Sequence, residues 1–94
     1  MILHTVNKSP TQHRGLATCL EFVSPGDAIV LLEDGVYAAV TAIEGLPAGT
    51  QVYAVRADID ARGLADRVAK SVLVIDYAGF VALCIRFSLF RNWS

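Results

Sequence analysis

Four short β-prone apolar runs alternate along this chain with stretches in which apolar residues recur at helical spacing. Ile2 to Val6 is the first run, and the turn formers Asn7, Lys8, Ser9 and Pro10 close it, which predicts a strand followed by a tight loop. From Thr11 the apolar positions Leu16, Cys19, Leu20 and Val23 fall on one face of an amphipathic helix, and Pro25-Gly26 ends it. Asp27 leads into Ala28 to Leu32, a continuous run of the kind found in strands buried on both faces. Such strands need helices above and below. Val36 to Ile43 predicts one or two helical turns before a loop holding Gly45, Pro47 and Gly49. Gln51 to Val55 and Ser71 to Ile75 are the third and fourth strands, and between them Asp58 to Leu64 has the spacing of a helical turn with Gly63 suited to its C-cap. Asp76 stands where an N-cap belongs for a helix over Tyr77 to Arg86, whose apolar stripe reads Tyr77, Phe80, Val81, Cys84 and Phe87.

Alternation of this kind, with crossovers long enough to join parallel neighbours, predicts an α/β three-layer sandwich around a mainly parallel sheet of four to five strands. One domain spans residues 1–94, without internal repeats or low-complexity segments. The tail Ser88 to Ser94 carries Leu89, Phe90 and Trp93, too much apolar surface for a solvated end. It is expected to add a short edge strand or to dock on a partner.

Composition sharpens the expectation of partners. A domain of 94 residues hides roughly 60 to 70% of its unfolded surface, yet 54% of this chain is hydrophobic, 18% is charged, and the mean hydropathy is +0.49. Apolar surface must stay exposed, which points to an obligate oligomer. Eight Lys and Arg against nine Asp and Glu give a net charge of -1 without a basic run, so direct nucleic-acid binding lacks its electrostatic footprint. The longest apolar stretch, Tyr77 to Ile85, is far shorter than the about 20 residues that cross a bilayer. His4 and Asn7 interrupt any signal-peptide core, and the two cysteines, 65 positions apart, read as reduced thiols of a cytoplasmic protein.

Common catalytic motifs are missing. No two glycines stand at i, i+2, no Gly-Lys-Ser/Thr offers a phosphate loop, and no Gly-x-Ser-x-Gly offers a nucleophile elbow. His4, His13 and the two distant cysteines have no metal-ligand spacing, so neither a metal nor a cofactor is expected. Cys19 is the one candidate nucleophile. Its neighbours one turn away, Gly15, Leu16, Phe22 and Val23, cannot stabilise a thiolate, and its place in the C-terminal half of the helix opposes an anion. Plain packing competes with reactivity there. Cys84 lies on a core stripe and reads as structural, and His4 reads as a histidine hydrogen-bonded within a strand. Glu33-Asp34-Gly35 leaves a strand at its carboxyl end, where open α/β sheets place ligands. Arg56 and Arg62 beside Asp58 and Asp60 read as a solvated charge cluster.

Five strings in order, LHTVNKSP (Leu3 to Pro10), CLEFV (Cys19 to Val23), LLEDGVYAAV (Leu31 to Val40), ADIDARGL (Ala57 to Leu64) and VIDYAGFVAL (Val74 to Leu83), carry a resemblance over nearly the whole chain. The chain resembles the DsrH/TusB family of sulfur-relay subunits, which implies a flavodoxin-like (DsrEFH-like) fold. The resemblance further implies a cytoplasmic sulfurtransferase complex with two paralogous sister subunits, of the DsrE/TusD and DsrF/TusC types, in a heterohexamer, and a downstream DsrC/TusE-like sulfur acceptor. The main persulfide cysteine would belong to a sister subunit, and Glu33-Asp34-Gly35 would be a turn or subunit contact. Cys19 falls where DsrH-type members carry a cysteine and would be an auxiliary persulfide acceptor, while Cys84 matches no family cysteine. The pathway implied first is 2-thiolation of the tRNA wobble uridine; the alternatives are a DsrH role in dissimilatory sulfur oxidation and a scaffold without a thiol role.

Overall fold

The computed structural model describes residues 1–94 and contains five strands, β1 (Ile2–Val6), β2 (Ala28–Leu31), β3 (Gln51–Val55), β4 (Val72–Ile75) and β5 (Leu89–Trp93). Three α-helices connect them, α1 (Gly15–Phe22), α2 (Arg56–Ala61) and α3 (Tyr77–Arg86), together with 3-10 segments at Glu33–Val40 and Ala65–Arg67. All strand pairs are parallel, in the order β4-β3-β2-β1-β5. From β1 to β4 the chain steps in one direction, so right-handed crossovers put α1, Glu33–Val40 and α2 on one face. From β4 it returns across the whole sheet to β5, and the same handedness puts α3 on the other face. That is the predicted three-layer sandwich, with the tail as its fifth strand.

Both cores follow from strand alternation. Val6, Ile29, Leu31, Val52, Ala54, Val72 and Trp93 point to the first face and pack with Cys19, Val36, Ile59 and Leu64. Leu3, Ala28 and Val30 point to the second and meet Leu83 and Phe87 of α3. Every residue of β2 is buried, as its unbroken apolar run requires.

Local chemistry fixes the elements. The Asp76 carboxylate accepts the Gly79 N–H at 2.8 Å and caps α3. Helix α2 closes in a Schellman motif: Gly63 takes φ +65°, its N–H donates to Asp60 O, and the Leu64 N–H donates to Ile59 O. Ile59 and Leu64, the pair this motif brings together, are both buried.

Helix α2 lies two to three residues ahead of the Asp58 to Leu64 turn, and two boundaries and one buried face also differ from the sequence pattern. Helix α1 begins at Gly15 and not near Thr11, because residues 9–13 form a separate turn in which Ser9 O accepts the Gln12 and His13 N–H groups. The Arg14 side chain supplies no N-cap acceptor to extend the helix backwards. The segment after β2 starts its helical turns at Glu33, earlier than Val36, and keeps 3-10 winding. On α3 the stripe is rotated: Leu83 is buried and Phe80 and Cys84 pack beside it, whereas Tyr77, Val81 and Ile85 face solvent.

Gly35 holds the Glu33–Val40 segment against the sheet. A Cβ there would collide with Val6 O, a backbone atom that cannot move aside without breaking β1. Gly35→Ala is therefore expected to destabilise the fold by at least about 3 kcal/mol, the upper range for overpacking, read as a lowered urea midpoint. A midpoint within experimental error of the parent would contradict this packing.

Candidate functional site

Three places in this fold hold polar or nucleophilic groups: a buried line under α1, the Cys19 thiol beside it, and a cleft at the carboxyl ends of the strands. The buried line starts at Asp27, which precedes β2. Its Oδ1 accepts the Ile2 N–H at 2.8 Å; its Oδ2 accepts the Ser24 N–H at 3.0 Å and the His4 Nε2–H at 2.8 Å. On the far side of the ring, His4 Nδ1 accepts the Trp93 indole N–H at 3.0 Å. An indole N–H can only donate, so Nδ1 is the unprotonated nitrogen and the ring is held as the neutral Nε2–H tautomer. His4 and Asp27 are both essentially inaccessible to water.

Burial works to raise the Asp27 pKa, but hydrogen bonds from His4, Ile2 and Ser24 outweigh it and leave the carboxyl below its ordinary value. Beyond Trp93 the line reaches the surface: Phe22 stacks on the indole at 5.4 Å between centroids, and the Arg91 guanidinium lies 4.8 Å from the same ring.

Cys19 lies on α1 with no exposed surface, inside the first core. Burial, followed by the Asp27 charge, pushes its thiol up to about 12. At neutral pH it is therefore a thiol. Cys84 is half-buried on the opposite face beside the second core. No path joins the two cysteines, which stand on opposite sides of the sheet.

At the carboxyl ends of the strands an open cleft of about 540 Å³ is lined by Ser9, Pro10, Thr11, Gln12, Asp34 and Tyr37. Its acidic wall is internally paired. The Glu33 N–H donates to Asp58 Oδ2 at 2.8 Å, with Glu33 at φ +50°. Arg62 donates from Nε at 3.0 Å and Nη2 at 2.9 Å to Asp34 Oδ1, and from Nη1 to Asp58 O at 3.2 Å. Arg62 thus ties α2 to the segment after β2, and Arg56 takes no part in the network. Neither cysteine nor His4 opens into this cleft, and no group of three or more His, Cys, Asp or Glu is arranged to hold a metal.

Sequence reasoning placed His4 in a hydrogen-bonded strand and Cys19 on a buried stripe, but missed that Asp27 and Trp93 clamp His4 from both sides. The available signals were an acid at the mouth of a buried strand and a terminal indole with an unsatisfied donor. These groups make a small all-parallel α/β sandwich whose polar interior is structural and whose one fully buried thiol is held protonated.

Comparison with known proteins gives the class a family. A family model for DsrH like protein matches residues 8–89. Protein TusB of Escherichia coli O1:K1 is 40% identical over 96 aligned positions, covering 98% of this chain and 100% of that protein. Protein TusB of Pectobacterium parmentieri is 40% identical over 88, covering 89% and 92%. The solution NMR structure of protein Tm0979 from Thermotoga maritima superposes with a TM-score of 0.71 at 31% identity, covering 92% of this chain and 93% of that one. The chain belongs to the DsrH/TusB family.

The lowered Asp27 pKa sets a pH dependence. A carboxylate with a depressed folded pKa contributes stability that is fully present above its unfolded value of about 3.9 and is lost as pH falls through the folded value. Asp27→Asn is expected to cost about 2 to 4 kcal/mol near pH 7, since its amide meets N–H donors it cannot satisfy. The gap to the parent should shrink on acidification below about pH 4. Urea unfolding of both proteins at several pH values checks this, and parallel curves would contradict it.

Proposed function

We propose that this chain is a non-principal subunit of a cytoplasmic sulfurtransferase complex in the relay that 2-thiolates the tRNA wobble uridine. Its partners are two paralogous sister subunits, of the DsrE/TusD and DsrF/TusC types, in a heterohexamer with two copies of each, and a DsrC/TusE-like protein receives the sulfur. The observation that carries this reading is the near full-length match to TusB proteins, 40% identical from end to end.

The chemistry of the relay says which part this subunit takes. In each transfer a thiolate attacks the outer sulfur of a persulfide; one S–S bond forms, another breaks, and the donor leaves as a thiolate without net oxidation. The attacking group must be ionised and reachable. Cys19 is neither in this fold, which supports a scaffold role; it would serve as an auxiliary acceptor only in a state of the complex that uncovers the sulfur. The outer ridge of α3, Tyr77, Val81 and Ile85, together with Leu89 and Phe90, supplies exposed apolar surface suited to sister subunits. The absence of a helix long and apolar enough to cross a membrane is consistent with this setting. A second reading, a DsrH subunit in sulfur oxidation, draws on Cys19 standing where DsrH-type members carry a cysteine.

Intact mass spectrometry of the co-expressed complex after treatment with a persulfide donor tests the assignment. Sulfur should appear on a sister subunit and not on this chain. Deleting the gene should abolish 2-thiouridine in tRNA, and a Cys19→Ser copy should restore it. One added sulfur on this chain, lost in Cys19→Ser, would make Cys19 an acceptor instead, and unchanged 2-thiouridine on deletion would favour the oxidation pathway.

A further inference from the structure

Strand β5 is attached to the domain differently from the other four strands. It pairs only with β1, and Leu89, Phe90, Arg91 and Asn92 are all exposed while Trp93 alone is buried. At the opposite edge, β4 sends Val72 into the first core and sets Ile75 against the second. A segment with one buried side chain and solvent-facing backbone hydrogen bonds sits at the low end of local opening free energies. The connection to α3 is jointed as well: Phe87 is buried in the second core, and Ser88 forms a bend before β5 begins. Beyond its ladder to β1, what holds β5 in place is the Trp93 ring and its N–H, donated to His4 Nδ1 at 3.0 Å.

That strand closes one face of α1. The helix rests on β1 and β5. A Cβ on Gly15 would stand 2.9 Å from Trp93 O, and the Phe22 ring stacks on the indole at 5.4 Å between centroids. Cys19 lies four residues after Gly15 and three before Phe22, so it shares the face that Trp93 covers, and both belong to the first core. We propose that β5 is a strap, latched by Trp93 on His4, that swings out about Ser88 while β1 to β4 stay paired and so uncovers the inner face of α1. The His4–Asp27 half of the clamp joins β1 to the approach to β2 and does not move with the strap. Access to the Cys19 thiol is then set by one edge strand and not by unfolding of the domain. This deepens the relay reading by naming the motion an acceptor role would require, but its test reads exposure and not sulfur, so either can fail without the other.

Alkylation of Cys19 by a maleimide in the full chain tests the strap, with Cys84→Ser as background. The reference probe is Val36→Cys in a chain carrying Cys19→Ser and Cys84→Ser; Val36 is buried in the same core, on the Glu33–Val40 segment that rests on β2 and β3. Without urea, Cys19 should react at least about tenfold faster than the reference, since a local opening is more populated than the unfolded state. Its rate should stay nearly flat at low urea, whereas the reference rate climbs with the larger surface that unfolding exposes. Trp93→Phe, which keeps a ring and loses the N–H, should raise the Cys19 rate about five- to tenfold. A disulfide between Thr5→Cys and Asn92→Cys, where the side-chain oxygens stand 2.8 Å apart across β1 and β5, should slow Cys19 to the pace of the reference in the same locked chain. Equal rates and equal urea slopes for Cys19 and the reference in the unlocked chain, or a Cys19 rate unmoved by the lock, would overturn the strap. A rate unmoved by Trp93→Phe would overturn the latch.

Discussion

The clamp on His4 is the interaction on which the rest of this domain depends. Strand β5 is five residues long and lies at the sheet edge, where it pairs only with β1. Its anchor is Trp93, whose ring fills space beneath α1 and whose N–H is satisfied by a buried histidine. That histidine is oriented by a buried carboxylate, which also takes N–H groups from the start of β1 and the exit of α1. Three segments distant in sequence, β1, residues 24–27 and β5, thus meet in a network of four hydrogen bonds, the two made by the His4 ring fully buried. Removing one member strands the others without partners, where an unpaired polar group is most costly.

The same arrangement explains the state of Cys19. Docking Trp93 beneath α1 closes the first core, and the carboxylate that orients His4 also adds negative charge near the sulfur. A chain selected to present a nucleophile would place it at a helix N-terminus or beside a cation. Here the fold places the thiol among aliphatic side chains, near an anion. The coverage of the sheet is unequal as well: α1, α2 and the turns shield one face, whereas α3 alone shields the other. The apolar excess that composition announced emerges as the α3 ridge and the apolar β4 edge.

Much of this was legible because it is local. The buried run of β2, the Asp76 cap and the Gly63 turn are each encoded within a few residues, and structure and pattern agree on them. The Cys19 stripe was readable for the same reason. What escaped is non-local. Asp27 finds His4 across 23 positions and Trp93 finds it across 89, and no periodicity links them. The rotation of α3 escaped because a helix apolar nearly all round has no unambiguous inner face; the sheet it lands on chooses. The late start of α1 reflects a turn at Ser9 and Pro10 that competes with helix for the same backbone groups.

Nitrogen NMR of the His4 ring tests the clamp most directly. In the folded protein near neutral pH, the account predicts a proton on Nε2, an unprotonated Nδ1, and a hydrogen-bonded Trp93 indole N–H protected from exchange. Trp93→Phe should leave the ring buried but abolish the coupling between the indole proton and Nδ1. A proton on Nδ1, or an indole N–H that exchanges freely, would contradict it.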